Sequence, residues 1–94
     1  MIVVRDSFQA KYGKGDDLVA LFKEMRQWSS GFGVRILTDA SGPFFTVQVE
    51  TQVESLGEWE RFISQMFGRS EFSDFFARMQ PLVESGRREF YHVE

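Results

Sequence analysis

Apolar positions recur along this chain with two periods, about two residues in some stretches and three to four in others, and the switches between them mark out its elements. Ile2 to Phe8 is rich in β-branched and apolar residues, with charges at Arg5 and Asp6, and predicts a first strand. KYGKGDD breaks it. Leu18, Leu21, Phe22, Met25 and Trp28 then follow at helical spacing, with Asp16 and Asp17 where the positive end of a helix dipole favours carboxylates, so a helix is expected from about Asp16 to Ser29. Gly31 and Gly33 are placed to close it. Val34 to Thr38 is short and β-prone, Asp39 to Pro43 is made of turn formers, and Phe44 to Val53 alternates Phe45, Val47 and Val49 with Thr46, Gln48 and Glu50, which predicts a hairpin.

Ser55, Leu56, Gly57, Glu58 is a capping box, in which the serine hydroxyl and the glutamate carboxylate satisfy free amides at a helix start. Leu56, Trp59, Phe62, Ile63 and Met66 form the apolar stripe that follows. Gly68 interrupts it, and Phe72, Phe75, Phe76 and Met79 mark a further helical segment starting near Ser70 and ended by Pro81. Gly86 is expected to release the chain into a last strand, Arg87 to Val93.

The order is strand, helix, strand, strand, broken helix, strand over residues 1–94, a single domain. Two βαβ halves with right-handed crossovers interleave into a ferredoxin-like βαββαβ fold of the α+β class: a four-stranded antiparallel sheet with the helices on one face. The other face is then bare, and a second copy of the chain completes it most simply, because a two-fold axis lets one patch bury its own copy. A homodimer through the open sheet face is expected.

Composition narrows the partners. With 43% hydrophobic and 27% charged residues the chain belongs to the soluble globular class. Cysteine is absent, which removes disulfides, thiolate nucleophiles and cysteine metal sites and fits a cytoplasmic location. The N-terminus has no basic segment followed by a long apolar run, and no stretch approaches the roughly 20 apolar residues needed to span a bilayer, so neither secretion nor a membrane partner is indicated. A net charge of −3 with interspersed signs offers no basic face for phosphates, and nucleic acid is not an expected partner. The 11 phenylalanines take the aromatic share to 16%, more bulky apolar surface than one small core easily covers, which points to a buried dimer interface or an aromatic pocket.

Candidate chemistry is sparse. His92, the lone histidine, has the side chain best suited to proton transfer near neutral pH, set against the plainer role of a strand histidine satisfied by a polar neighbour. Arg35, Gln48 and Glu50 alternate with apolar residues on neighbouring strands and can share a face with Arg5, either as interface ion pairs or with the arginine fixing a ligand oxygen. Trp28, Trp59, Phe62, Phe72, Phe75 and Phe76 lie on helical stripes that are ordinarily core; Trp59 and Phe62 are the pair able to wall a cleft for a flat ligand. Tyr12 and Tyr91 are possible proton donors. The string GKG at Gly13 to Gly15 is too short for a phosphate loop, and no nucleophile elbow or metal cluster is present, so no cofactor or metal is implied.

The strand ending at Phe8, AKYGKGDDLVALFKE, SLGEWERF and REFYHVE together resemble the dimeric α+β barrel superfamily, nearest to the small NIPSNAP-related proteins and the antibiotic-biosynthesis-type monooxygenases. The resemblance covers nearly the whole chain. It implies two subunits pairing their sheets into a barrel, helices outside, and a ligand cleft between each sheet and its helices. Some members of the superfamily oxidise aromatic substrates with oxygen and no cofactor, and some degrade haem, commonly with a first-strand asparagine and a helix tryptophan. This chain has no asparagine; its first strand offers Arg5, Asp6 and Ser7, and Trp59 matches the tryptophan. The leading expectation is a homodimer binding a small apolar or aromatic molecule, with Trp59, Phe62, Trp28 and Tyr91 as ligand contacts. The alternative is a cofactor-independent monooxygenase acting on a phenolic substrate, in which His92 is the base, Arg35 stabilises the anion and Trp59 stacks on the ring. A third is an interaction module whose dimer contact is the surface that matters.

Overall fold

A computed structural model describes residues 1–29 and 33–94. The elements run β1 (Ile2–Ala10), α1 (Gly15–Trp28), β2 (Val34–Thr38), β3 (Thr46–Val53), α2 (Leu56–Phe67), α3 (Ser70–Met79), a single 3-10 turn (Gln80–Leu82) and β4 (Val83–His92). All strand pairings are antiparallel, in the order β2-β3-β1-β4, which is the ferredoxin-like interleaving. Among the described residues no helix is long and apolar enough to cross a membrane.

Parity along the two central strands decides what each sheet face is made of, since cross-strand partners point to the same side. Ile2, Val4 and Phe8 on β1 and Val47, Val49 and Val53 on β3 turn towards the helices and meet Leu18, Leu21, Phe22 and Met25 of α1 in one core. Leu18 and Phe22 are almost wholly buried. Burying Phe22 alone contributes roughly 2–3 kcal/mol. The intervening residues, Val3, Arg5 and Ser7 on β1 and Gln48, Glu50 and Gln52 on β3, occupy the uncovered face.

The helix starts follow the local chemistry. Ser55, extended at φ −154°, accepts a hydrogen bond from the Glu58 amide at 3.2 Å. The Glu58 carboxylate accepts from the amide of Glu54 at 3.4 Å, one residue further back than a strict capping box requires. Asp16 and Asp17 lie in the first turn of α1, and the Ser29 amide closes its last turn on the Met25 carbonyl. Gly31, expected to help close α1, lies outside the described residues. Gly68 and Arg69 separate α2 from α3, because Arg69 is extended (φ −79°, ψ 143°) and cannot carry the helix on.

Two sequence expectations need correction. Phe44 and Phe45, read as the start of the third strand, belong to the turn before it. Phe45 is left-handed at φ 61°, and its ring packs edge-on to Tyr12 with centroids 4.9 Å apart, so the tertiary contact overrides the β preference of the side chain. Gly86, read as the release into the last strand, sits inside β4 opposite Phe8. A Cβ there would lie 3.0 Å from the Phe8 ring, so the glycine makes room for an aromatic side chain that lies over the strand. β4 thus begins four residues earlier than expected, at Val83, with a register irregularity near its start, where Gln9 pairs with Ser85 and Ala10 with Val83.

Candidate functional site

The amphipathic stripes of α2 and α3 leave a cleft between themselves and the sheet. Its volume is about 250 Å³. Phe8 and Val49 form its floor, Trp59, Phe62, Ile63 and Met66 one wall and Phe72, Phe75 and Phe76 the other, while Phe22 and Met25 close the α1 end. Phe67 and Phe76 also line it although they are exposed, so aromatic edges continue to the surface. Trp59 and Phe62 meet at 5.3 Å, Phe67 and Phe72 edge-on at 4.8 Å, and Phe72 and Phe76 stack at 6.0 Å, geometries in which ring edges and faces attract.

The cleft carries one charged pair. Asp6, the helix-facing residue of mid-β1, stands opposite Arg88 on β4. Arg88 Nε donates to Asp6 Oδ1 at 2.6 Å and Nη2 to Oδ2 at 2.9 Å, a two-pronged bond that fixes both planes. The guanidinium also lies over the Trp59 ring, 4.9 Å from its centroid. Asp6, Arg88 and Trp59 thus hold one another, and all three line the cleft.

The open face has a separate polar cluster. The Glu50 carboxylate, only 7% exposed, accepts from Arg35 Nη2 at 2.5 Å and from Arg5 Nε at 2.7 Å. The Arg35 hydrogen bond holds its carboxyl below the usual glutamate value; burial opposes this, and Arg5 adds to it. The Tyr91 hydroxyl donates to Glu89 Oε2 at 2.9 Å, which pushes the phenol upward, and the Arg5 guanidinium lies 5.3 Å from the Tyr91 ring centroid. Ser7 Oγ is buried with no hydrogen-bond partner among the described residues.

The residues singled out in the sequence therefore separate. Trp59 and Phe62 line the cleft. Trp28 lies outside it, at the end of α1, half-buried edge-on against Phe75 at 5.8 Å with Arg69 over its ring. Tyr91 and Arg35 are on the open face. His92 pairs with Ile2 and so has helix-side parity, but it sits exposed at the last residue of β4 and is not among the cleft residues. His92 and Arg35 lie on opposite faces of the sheet and do not converge within one subunit, because neighbouring strands fix their parity. Arg88 went unrecognised in the sequence. The available signal was its position two residues before Phe90, which gives both the same side of an alternating strand. Most of the described phenylalanines go to the core and the cleft, and none of the open-face positions of the four strands holds one.

Neither a protein-family model nor a curated protein matches the sequence. Solved structures do match in fold. An uncharacterized NIPSNAP domain protein from Burkholderia xenovorans superposes with a TM-score of 0.89 at 14% identity, covering 100% of this chain and 95% of that one. A NIPSNAP family protein from Agrobacterium tumefaciens gives 0.83 at 17% identity over 97% and 90%. A candidate antibiotic biosynthesis monooxygenase from Deinococcus radiodurans gives 0.73 at 14% identity over 100% and 93%. At these identities the likeness is one of architecture: the chain has the ferredoxin-like fold of the solved NIPSNAP-domain proteins.

Proposed function

We propose that this protein binds a small, largely apolar or aromatic molecule in the cleft between the sheet and helices α2 and α3. The observation that carries the reading is the cleft itself. Protein interiors close on their own side chains, and an aromatic-walled space with a single charged pair in its lining is the usual form of a small-molecule site. Its volume of about 250 Å³ is just under the range of roughly 300–1,000 Å³ common for drug-sized ligands, which suits one or two rings or a short chain. A thermal-shift screen with two-ring aromatics and short lipid-like compounds tests it. Stabilisation by some of these compounds, abolished by Ile63→Trp, which fills the space, is the expected result. No response from any compound would remove the reading.

The same reading pairs the protein with a second copy through the uncovered sheet face, in the cytoplasm. Half-buried Val3 and Leu37 lie there among side chains already held in ion pairs, and Ser7 Oγ is left for a partner from outside the chain. Sizing at low concentration is expected to give twice the chain mass; a stable species at 11.0 kDa would contradict it.

A second reading, a cofactor-independent monooxygenase acting on a phenolic substrate, is favoured by Trp59 in the cleft wall and by the fold shared with the Deinococcus protein. The group at hand to take a phenolic proton there is the Asp6 carboxylate, since His92 does not line the cleft. Oxygen consumption with small phenols, lost in Asp6→Asn and kept in His92→Ala, is the signature of that activity; no consumption with any phenol removes it.

A further inference from the structure

The charged pair in the cleft restricts which head group the ligand can carry. We infer that the cleft selects ligands whose polar end is an uncharged oxygen acceptor, such as a ketone, ester or lactone carbonyl, over ligands ending in a carboxylate. This inference rests on the cleft being the ligand site and adds to it the chemical class of the ligand.

Arg88 gives Nε and Nη2 to Asp6, and its Nη1 group has no hydrogen-bond partner among the described residues. Arg88 lines the cleft at its solvent edge, its side chain 43% exposed, so it keeps N–H donors beyond those given to Asp6 beside an otherwise apolar lining, with Thr51 the one further polar residue there. A ligand oxygen that accepts from Nη1 would be held with its carbon frame against Trp59 and Phe62. A lone guanidinium would draw a carboxylate most strongly, but this one is already neutralised. The Asp6 side chain is 17% exposed, and it faces the same space as the donors. A ligand carboxylate would meet a second carboxylate at short range and would have to shed its hydration shell on entering an aromatic cleft. A carbonyl accepts the same hydrogen bond with little desolvation cost and no repulsion. Asp6 is thus a specificity-determining residue that acts through the charge it cancels, and Trp59, stacked under the guanidinium at 4.9 Å, keeps the donors in place.

Three probes on one carbon frame separate the contributions: 2-ethylnaphthalene, 2-acetylnaphthalene and 2-naphthoate, titrated by calorimetry at pH 7. In the wild type the ketone is expected to bind tightest, about tenfold or more over the carboxylate, a difference of about 1.4 kcal/mol. Asp6→Asn keeps the shape of the pair and frees the charge of Arg88, so the carboxylate should gain and the order of the two oxygen probes should reverse. Arg88→Met keeps an apolar stem and removes the donors, so the ketone should lose its advantage over the hydrocarbon while the hydrocarbon still binds. Hydrocarbon binding in each variant also certifies that it is folded. Equal or tighter carboxylate binding in the wild type, or an unchanged order in Asp6→Asn, would overturn the inference and leave the cleft standing. Failure of all three probes would overturn the ligand cleft and this inference with it.

Discussion

Asp6 and Arg88, 82 residues apart in the chain, face each other across β1 and β4 with two hydrogen bonds of 2.6 and 2.9 Å. The pair joins the first strand to the last where the edge strand β4 borders the cleft, so it has a structural role that does not depend on any ligand. Its energetic worth is limited by the 43% exposure of the Arg88 side chain. A double-mutant cycle over Asp6→Asn and Arg88→Met, read by urea unfolding, is expected to give a coupling energy of about 1 kcal/mol after allowance for solvent screening. A coupling near zero would show that the two side chains meet without holding each other.

Gly86 and Phe8 form the second link between these strands. The backbone of Gly86 is ordinary, so the constraint there is space alone: a methyl group would press on a ring that is itself packed against Phe22 at 5.1 Å. Gly86→Ala is expected to cost about 1–2 kcal/mol by overpacking. In a Phe8→Leu background the penalty should shrink markedly, since the smaller side chain leaves room. An alanine tolerated equally well in both backgrounds would mean that the ring moves aside freely.

Glu50 gives the fold a defined acid sensitivity. Its folded carboxyl is held below the ordinary value of 4.5, first by Arg35 and then by Arg5, against the upward pull of burial. With the folded value below the unfolded one, the contribution is fully present above the ordinary glutamate range and is lost as pH falls through the folded value. Glu50→Gln should therefore cost roughly 1 kcal/mol at neutral pH, a figure set by the exposure of both arginines, and the gap to wild type should narrow as pH falls below the ordinary glutamate value of 4.5. Urea midpoints for the two proteins, followed from neutral pH down through and below 4.5, check it; a gap of constant size would show that the carboxylate charge is not what Glu50 contributes.

The architecture was largely legible in the sequence because each helix has one apolar stripe and the central strands alternate cleanly. Leu18, Leu21, Phe22 and Met25 specify the buried side of α1 unaided, and Ser55 with Glu58 marks the start of α2. Legibility failed where a side chain takes its conformation from a distant partner. Phe45 reads as a strand residue and becomes a left-handed turn residue because Tyr12 and the start of α1 receive its ring. Gly86 reads as a terminator and is a strand residue because Phe8 covers it. The cleft was half legible. Trp59 and Phe62 were recognisable as its wall, but Arg88 was hidden within a run of charges, and only the register of β4 on β1 shows that it pairs with Asp6 on the helix side of the sheet. His92 drew attention by chemical type, and the same register leaves it at the strand end, away from the cleft.

The ligand cleft is the central claim, and amide chemical-shift mapping of the labelled protein tests it most directly. On titration with 2-ethylnaphthalene, a probe with no polar group, the account predicts saturable shifts confined to Val49, Trp59, Phe62, Ile63, Phe72 and their neighbours, with the amides of Val3, Leu37 and Tyr91 on the opposite face unmoved. Absence of saturable shifts, or shifts centred on the open sheet face, would contradict it.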